Sequence, residues 1–562
     1  MKTLSHGIVM LVVCLVATQA ASGDWRVWTT TDTRQVLRED PAGNSLEVKL
    51  AAARNEWRGF QILLRSDSAV SGINVQAGDL SGPGGAVLAA KDARLYRQHQ
   101  LEVTTATNRN DQFRPGWYPD PLIPFVHPLT GKPLGKARLH AVPFDLPAEQ
   151  THGFWVDVHV PAAAKAGRYT GIYRVSAAAG TPAVEIPVEL TVWDFALPET
   201  LTFQTALGSP AERMRGYYRK RADAPADWDA VDRQCAALLA EHRVNATPPT
   251  ELLTPVAQAD GSFAIPKDNV DRLREFIDRY HVNAISTPHP RTAVKDPEAE
   301  SSRLRAWLAA FDRMAAELQR PQVVFYTYLR DEPNEEEAYR YVQRWGRAVR
   351  QAKSALKVMV VEQTKTQDAA WGDLDGAVDI WCPLFPLHDP ETAAQRQALG
   401  ETLWCYTALC QAKKTPWWHI DFPLLHYRVP AWMAWRYRIR GILYWGGMSF
   451  WQQVDDPWTD PKTLDRRSRG KGQLYNGEGT IVYPGRAAGY DGIATSLRLK
   501  ALRDSIEDYE YLAMLERLGR SAEAEKVVLP LTSSFFQWNP DPAAYDRARA
   551  ALADRILAAA PK

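Results

Sequence analysis

Phe325-Tyr-Thr-Tyr-Leu-Arg-Asp-Glu-Pro-Asn334 is the stretch from which the rest of the chain is read. Together with Val323 and Val324 it forms an apolar and aromatic run over 323–329, the composition of a buried strand. The run ends on two adjacent carboxylates, Asp331 and Glu332. Pro333 stops the strand and is expected to keep Glu332 extended. Asn334 then offers a helix N-cap, and Glu337 three residues on completes a capping-box pattern. Strand, two acids and a fresh helix is the order of a β/α unit at its carboxyl end, where a barrel of such units carries its reactive groups. Acids also favour the positive end of a helix dipole. On this stretch alone a capping pair and a reacting pair are equally open.

Outward from it, short apolar runs alternate with amphipathic helices. Trp228, Val231, Cys235, Leu238 and Leu239 share one helical face, as do Val270, Leu273, Phe276, Ile277 and Tyr280. Leu304, Trp307, Leu308, Phe311, Met314 and Leu318 make a third face, and Tyr341, Val342, Trp345 and Val349 a fourth, directly after the two acids. Strands are expected at 203–206, 245–247, 282–286, 323–329, 357–361, 378–381, 402–406 and 441–445. Eight is the number that closes a (β/α)8 TIM-like barrel, and it puts Asp331 and Glu332 at the end of the fourth strand. A helix carrying Leu502, Ile506, Tyr509, Leu512 and Leu515 follows, then an Ala-rich helical tail.

Before residue 198 the texture is β. Phe154, Val156, Val158 and Val160 alternate with Trp155, Asp157 and His159, the pattern of a half-buried strand. Ile186, Val188, Leu190 and Val192 repeat it, with Pro187 marking an edge position. Further strands are expected at 25–31, 45–50, 57–65 and 168–177, and together they describe an antiparallel β-sandwich. Gly116-Trp-Tyr-Pro-Asp-Pro-Leu-Ile-Pro124 is too proline-rich for a strand and reads as part of a long ordered loop over 109–128. The fold expected is multidomain α/β plus β: a signal peptide (1–22), the sandwich (24–197), the barrel (198–515) and a C-terminal helical segment (516–562). A chain of 562 residues accommodates about two or three domains.

Lys2 and the apolar run Ile8-Val-Met-Leu-Val-Val-Cys-Leu-Val-Ala17, followed by Ala20, Ala21 and Ser22, form the expected signal peptide, which is too short to span a membrane. A secreted or periplasmic protein follows. Leu11-Val-Val-Cys14 is a poor lipoprotein box, because Val13 is bulky and the apolar run continues past the cysteine, so no lipid anchor is expected. Cys235, Cys382, Cys405 and Cys410 fit no zinc spacing and read as buried thiols, with a Cys405–Cys410 bridge left open. No metal or other cofactor is expected. The net charge of +1 gives no reason to expect nucleic acid or a membrane surface as partner. The 20 Trp and 21 Tyr lean towards carbohydrate, because aromatic faces stack on the apolar faces of sugar rings.

Acids and aromatics converging on one barrel face suit a glycosidase. The usual retaining mechanism places a nucleophilic carboxylate roughly 5–5.5 Å from the acid/base. Strand seven, Leu403-Trp-Cys-Tyr-Thr-Ala-Leu409, offers none at its end. A 2-acetamido sugar supplies its own nucleophile, its carbonyl oxygen closing on the anomeric carbon as an oxazolinium. The protein then needs one carboxylate for the acetamide N–H and one acid/base at the glycosidic oxygen. Two adjacent acids suit that division: Asp331 orients the acetamide and offsets developing positive charge, and Glu332 protonates the leaving oxygen and later activates water. Tyr406 and Trp445 end strands and are candidates to face the sugar, or equally to plug the barrel core. Glu362, at the end of strand five, is either a hydroxyl ligand or part of a supporting network. His289 lies near the end of strand three. Arg503 and Asp504 lie on the C-terminal helix, where a structural role is favoured.

Several stretches resemble glycoside hydrolase family 123, the β-N-acetylgalactosaminidases, and the related domain of unknown function 4091. Ala53-Arg-Asn-Glu-Trp-Arg-Gly-Phe-Gln61, Phe154-Trp-Val-Asp-Val-His-Val-Pro161 and Ala166-Gly-Arg-Tyr-Thr-Gly171 look like that family's N-terminal sandwich. Tyr328-Leu-Arg-Asp-Glu-Pro333 looks like its catalytic motif. Gly441-Ile-Leu-Tyr-Trp445 and the long, specific Ser496-Leu-Arg-Leu-Lys-Ala-Leu-Arg-Asp-Ser-Ile-Glu-Asp-Tyr-Glu-Tyr-Leu512 look like its C-terminal part. The resemblance implies substrate-assisted, retaining hydrolysis of β-linked N-acetylgalactosamine from a glycan carrying a terminal 2-acetamido sugar. Asp331 and Glu332 would be catalytic, and Tyr406, Trp445, Glu362 and Tyr328 substrate-binding. Two other readings stay open: a barrel glycosidase pairing Glu332 with Glu362, Asp455 or Asp456 on a plain sugar, and a non-catalytic carbohydrate-binding protein. The oligomeric state is not legible.

Overall fold

The computed structural model describes residues 25–559 except 179–180, 220, 410, 412–413, 446 and 468–471. The expected signal peptide and Cys410 lie outside the described residues. Cys235, Cys382 and Cys405 are buried free thiols.

The first part of the chain is a sandwich of two sheets. One contains Arg26–Thr31 (β1), Glu56–Arg65 (β3), Arg94–Val103 (β5), Gly116–Pro124 (β6) and His152–Val160 (β8), in the order β1-β3-β8-β5-β6. The main path of the other runs through Val48–Arg54 (β2), Val184–Ala196 (β10), Gly167–Ser176 (β9), Val70–Gln76 (β4) and Phe144–Leu146 (β7). All these pairings are antiparallel except β2 with β10, which is parallel. Phe60, Ile62, Leu64, Phe154 and Val156 of the first sheet share a core with Tyr173, Ile186 and Leu190 of the second.

Three expectations need correction. The proline-rich 116–124 segment is a strand, not a loop: it pairs antiparallel with β5 from Gly116 to Pro124 across one register shift. Its prolines are tolerated because β6 is the outermost strand of its sheet. Pro187 lies inside a strand that is not the outermost of its sheet, but β2 pairs only from Val188 onward, so at the proline itself the strand is open on one side. Nor is β8 half-buried. Trp155 and Asp157, on its polar face, are at most 1 % exposed, because that face is covered by the helix Leu497–Arg517 (α8).

The second part is a parallel barrel of seven strands: Gln204–Ala206 (β11), Ala284–Thr287 (β12), Val324–Asp331 (β13), Lys357–Val361 (β14), Ile380–Trp381 (β15), Thr402–Thr407 (β16) and Gly441–Tyr444 (β17), hydrogen-bonded in the order β11-β17-β16-β15-β14-β13-β12. Pro210–Tyr218 (α1), Trp228–Glu241 (α2), Lys267–Tyr280 (α3), Ser301–Leu318 (α4), Glu336–Gln351 (α5), Pro390–Ala398 (α6) and Leu425–Arg436 (α7) belong to the same part of the chain. After α8 (Leu497–Arg517) come Ser521–Val528 (α9) and Pro542–Ala559 (α10). Residues 245–247, expected as the second strand, form no ladder. Instead the Asn245 amide donates to the Thr205 carbonyl (3.0 Å) and to Asn283 Oδ1 (2.8 Å) and accepts from the Asn283 N–H (3.1 Å). One side chain thus bridges the gap between β11 and β12, and the barrel is nearly closed. Inside it pack Tyr326, Met359, Val361, Ile380, Trp404, Tyr406 and Leu443.

Buried ion pairs join the two parts. Arg498 grips Asp120 of β6 with Nε (2.8 Å) and a terminal nitrogen (2.7 Å). Arg503 holds Asp157 of β8 with its two terminal nitrogens (2.8 and 3.2 Å), and Lys500 Nζ lies 2.6 Å from the same carboxylate. Burial alone would raise the Asp157 carboxyl, but Arg503 and Lys500 outweigh it and hold it well below the usual carboxylate range. This is the structural role expected of Arg503.

Candidate active site

Asp331 and Glu332 stand at the carboxyl end of β13, both exposed. Along β13 the even residues Tyr326 and Tyr328 face the barrel interior. The register with β14 then shifts: Tyr328 pairs with Met359, but Arg330 pairs with Val360 and Asp331 with Val361. The extra residue is a β-bulge, and its effect is to re-aim the strand end. Without it Arg330 would follow Tyr328 inward. With it Asp331 takes the level and face of the inward-pointing Val361, and the Arg330 guanidinium lies 5.8 Å from the Tyr341 ring on α5. The Tyr328 hydroxyl donates to Asp331 Oδ1 at 2.7 Å. Burial, and next the Asp331 charge, push the Tyr328 phenol far above its ordinary value, so it stays a donor.

Glu332 departs from its expected backbone. Its φ is +39°, a left-handed conformation that a non-glycine residue before proline adopts only under constraint. Its N–H is bonded to the Val361 carbonyl (3.1 Å), and its Oε1 accepts the Tyr406 hydroxyl from the end of β16. Two tyrosines from separate strands therefore hold the two acids. Asn334 does not cap α5. The N-cap is Glu335, whose side chain makes no capping bond, and Asn334 Oδ1 instead accepts from Gln367 (3.0 Å).

Glu362 follows β14 directly and is buried. Gln367 Nε2 donates to both of its oxygens at 3.0 Å, and the Tyr339 hydroxyl reaches Oε1 at 3.4 Å. Burial raises this carboxyl to about 7, and the nearby Glu332 charge adds to the rise. Tyr406 is packed into the barrel core, and its hydroxyl is bonded to Glu332. Trp445 packs on the rim of that core, 6.0 Å from the Phe450 ring, and its indole N–H goes to Glu478. His289 is turned to the helix side, bonded to the Leu329 carbonyl (3.3 Å) and the Tyr341 hydroxyl (3.1 Å). Asp456 is taken by Arg138 (2.7 Å), and the exposed Asp455 offers its carbonyl to Tyr217 and Arg221.

Sequence reasoning missed Gln367, Tyr339, His419 and Glu478. The last had a signal: Asn476-Gly-Glu-Gly479 flanks an acid with two glycines, and both Gly477 (φ +76°) and Gly479 (φ +66°) are left-handed. A cavity of about 430 Å³ opens at the other end of the barrel strands, lined by Gln204, Asn283, Lys357, Asp379 and Arg440, and so is separate from the acid pair.

A parallel barrel carrying acids and tyrosines at its strand ends, beneath a β-sandwich, has the architecture of a glycoside hydrolase. Two family models place it more closely: the glycoside hydrolase 123 N-terminal domain matches residues 28–177 and the glycoside hydrolase 123 catalytic domain residues 290–515, together about two thirds of the chain. The chain belongs to glycoside hydrolase family 123, a family of glycosidases. Its fold is similar to that of a family 123 glycoside hydrolase from Clostridium perfringens, solved to detail glycolipid glycan hydrolysis. The TM-score is 0.65 at 13% identity, covering 95% of this chain and 97% of that one. A putative β-galactosidase from Bacteroides fragilis (TM-score 0.24, 9% identity, 75% of this chain, 54% of that one) and a Parabacteroides merdae β-glucuronidase (TM-score 0.25, 8% identity, 81% and 50%) are too distant in structure to carry an argument. No curated protein matched the sequence.

Proposed function

We propose that the chain is a retaining exo-β-N-acetylhexosaminidase that removes terminal β-linked N-acetylgalactosamine with the substrate's own acetamide as nucleophile. The observation that carries this reading is the pair itself: Asp331 and Glu332 are adjacent, exposed at one strand end and held by two different tyrosines. The end of β16 meanwhile presents Tyr406 where a retaining barrel would place a carboxylate.

Asp331 accepts the acetamide N–H, which turns the carbonyl oxygen towards C1 and offsets the positive charge of the oxazolinium. Tyr328 keeps that carboxylate oriented. Glu332 gives its proton to the glycosidic oxygen as the C1–O bond breaks and the acetamide oxygen bonds to C1. The same carboxylate then takes a proton from the water that attacks C1 and reopens the acetamide, so the anomeric configuration is retained. Glu362 is poorly suited to be a separate nucleophile, because burial favours its neutral form and Gln367 occupies both oxygens. The glycolipid glycans associated with the Clostridium enzyme suit an exo-acting hydrolase of this kind. With the expected signal peptide, the substrate would be met outside the cytoplasm, and N-terminal sequencing of the mature protein checks the cleavage near residue 22.

The test compares wild type, Glu332→Gln and Asp331→Asn on aryl β-N-acetylgalactosaminides and β-N-acetylglucosaminides. Both variants should lose on the order of 10²-fold or more in kcat, and a thiazoline analogue should inhibit the wild type. Equal activity of all three proteins on every 2-acetamido substrate would sink the reading. Turnover of plain glycosides that depends on Glu362 would transfer it to the two-carboxylate mechanism.

A further inference from the structure

Glu478 is a buried carboxylate that the proposed reaction leaves unused. It lies in the loop beyond β17, between the two left-handed glycines. A side chain at Gly477 would strike Ile420, and one at Gly479 would strike Phe450, so the loop is built to bring this acid in close. Its Oε1 accepts the Trp445 indole N–H and the Tyr444 hydroxyl (3.1 Å). Its Oε2 lies 3.4 Å from His419 Nδ1.

His419 is the second anomaly. It is fully buried among Trp417, Phe422 and Tyr475, and neither ring nitrogen has a hydrogen-bond partner among the described residues. An orphaned buried imidazole is costly, and a proton on Glu478 Oε2 relieves the Nδ1 share of that cost by donating to it. Oε1 remains an acceptor for Trp445 in either protonation state.

We propose that Glu478 and His419 are a positioning dyad that shares one proton and fixes Trp445 as the apolar platform for the terminal sugar. The assignment rests on the site being a sugar pocket, as argued above. The charge environment agrees. Burial raises Glu478 to about 7, against the donors Trp445 and Tyr444 and the more distant Arg498 and Arg466, which favour its ionised form. Arg498 is itself committed to Asp120. Burial, with Arg498 and His426 nearby, holds His419 well below its ordinary value, so it stays a neutral acceptor. The phenols of Tyr427 and Tyr475 also face the acid, and burial raises both.

The experiment measures KM and kcat against pH for wild type, Trp445→Ala, Glu478→Ala, their double variant and Glu478→Gln, each first shown folded by its melting transition. Glu478→Ala should raise KM about tenfold with a smaller change in kcat, and the double variant should be no worse than Trp445→Ala alone. Glu478→Gln offers the same acceptor to Trp445 and an N–H to His419, so it should restore KM to within about threefold and flatten its pH dependence between about pH 6 and 8. An unchanged KM in Glu478→Ala, multiplying losses in the double variant, or an unaltered pH profile in Glu478→Gln would each overturn the proposal. If wild type turns over no 2-acetamido sugar, the functional reading fails by itself. The dyad is then judged in the ligand-free protein by the nitrogen-15 resonances of His419. Nδ1 should report an accepted hydrogen bond that changes near neutral pH and vanishes in Glu478→Ala, and a signal indifferent to both rejects it.

Discussion

The carboxyl end of β13 and the helix α8 are both crowded with charge, yet they use it in opposite ways. Seven charged side chains of α8, from Arg498 to Glu510, are at most 1 % exposed. Most find partners far away in the chain: Asp120, Asp157, Arg243 and Arg428 take Arg498, Arg503, Glu507 and Asp508 in turn. At β13, Asp331 and Glu332 stay in water and are held by tyrosine hydroxyls. A buried charge without its partner is destabilising by several kcal/mol, so the α8 charges serve to lock sandwich to barrel in one register. An exposed acid on a bulge, with Glu332 at φ +39°, gains little for the fold and is available to a ligand. The long motif by which the family is recognised is thus mainly a domain interface, and the proposed chemistry rests on two residues of a short one.

The largest expected effect separates these roles. Glu332→Gln should lower kcat on the order of 10²–10⁴-fold while leaving the melting temperature unchanged or slightly raised, because it removes a catalytic proton and relieves the clustering of Glu332 with Glu362. A calorimetric scan beside the kinetic assay decides it, and a melting point lowered by many degrees would make Glu332 a structural cap.

Arg503→Met should do the reverse, destabilising by about 3–5 kcal/mol with kcat per folded molecule intact. Its pH signature follows from Asp157. That carboxyl is held low in the folded state, so its stabilisation is present above the ordinary carboxylate range and is lost as pH falls through the depressed value. Without Arg503 the loss should begin at higher pH, visible as an acid-unfolding midpoint moved upward. Urea titrations at several pH values measure both. Tyr406→Phe comes next: it keeps the ring in the barrel core but removes the hydroxyl from Glu332, and kcat should fall about 10- to 100-fold with stability little changed.

The sequence carried the barrel because parallel strands buried on both faces are written as short apolar runs, and seven of the eight expected runs are strands. The run at 245–247 is not one because Asn245 closes the gap with its side chain, which no periodicity encodes. The edge strand β6 was hidden by its prolines, harmless only on an outer strand. The acid pair was legible as a position, but not its geometry: the bulge and the left-handed Glu332 arise from pairing with β14. Asp157 looked like a solvent-facing residue of a half-buried strand because its partner, Arg503, is 346 positions away. Glu478 was overlooked since it lies well past the last barrel strand, where strand-end reasoning does not reach.

The smallest expected effect probes the one α8 charge that breaks the pattern. Asp504 is buried, neither of its oxygens has a hydrogen-bond partner among the described residues, and the nearest cation, Arg58, is 3.9 Å away and already beside Asp32 and Asp546. Burial, and then the Asp32 charge, raise its carboxyl well above the ordinary value, so in the folded protein it is held as the neutral acid. A group raised in this way stabilises fully below its unfolded value, and that contribution is lost as pH rises through the folded one. Asp504→Asn keeps the shape and removes the ionisation. It should leave stability at neutral pH within about 1 kcal/mol of wild type and make the melting temperature less sensitive to alkali, unlike Arg503→Met. Melting curves taken from about pH 6 to 10 test this. A destabilisation at neutral pH as large as that of Arg503→Met would mean that Asp504 is ionised and paired with Arg58, and the contrast within α8 would disappear.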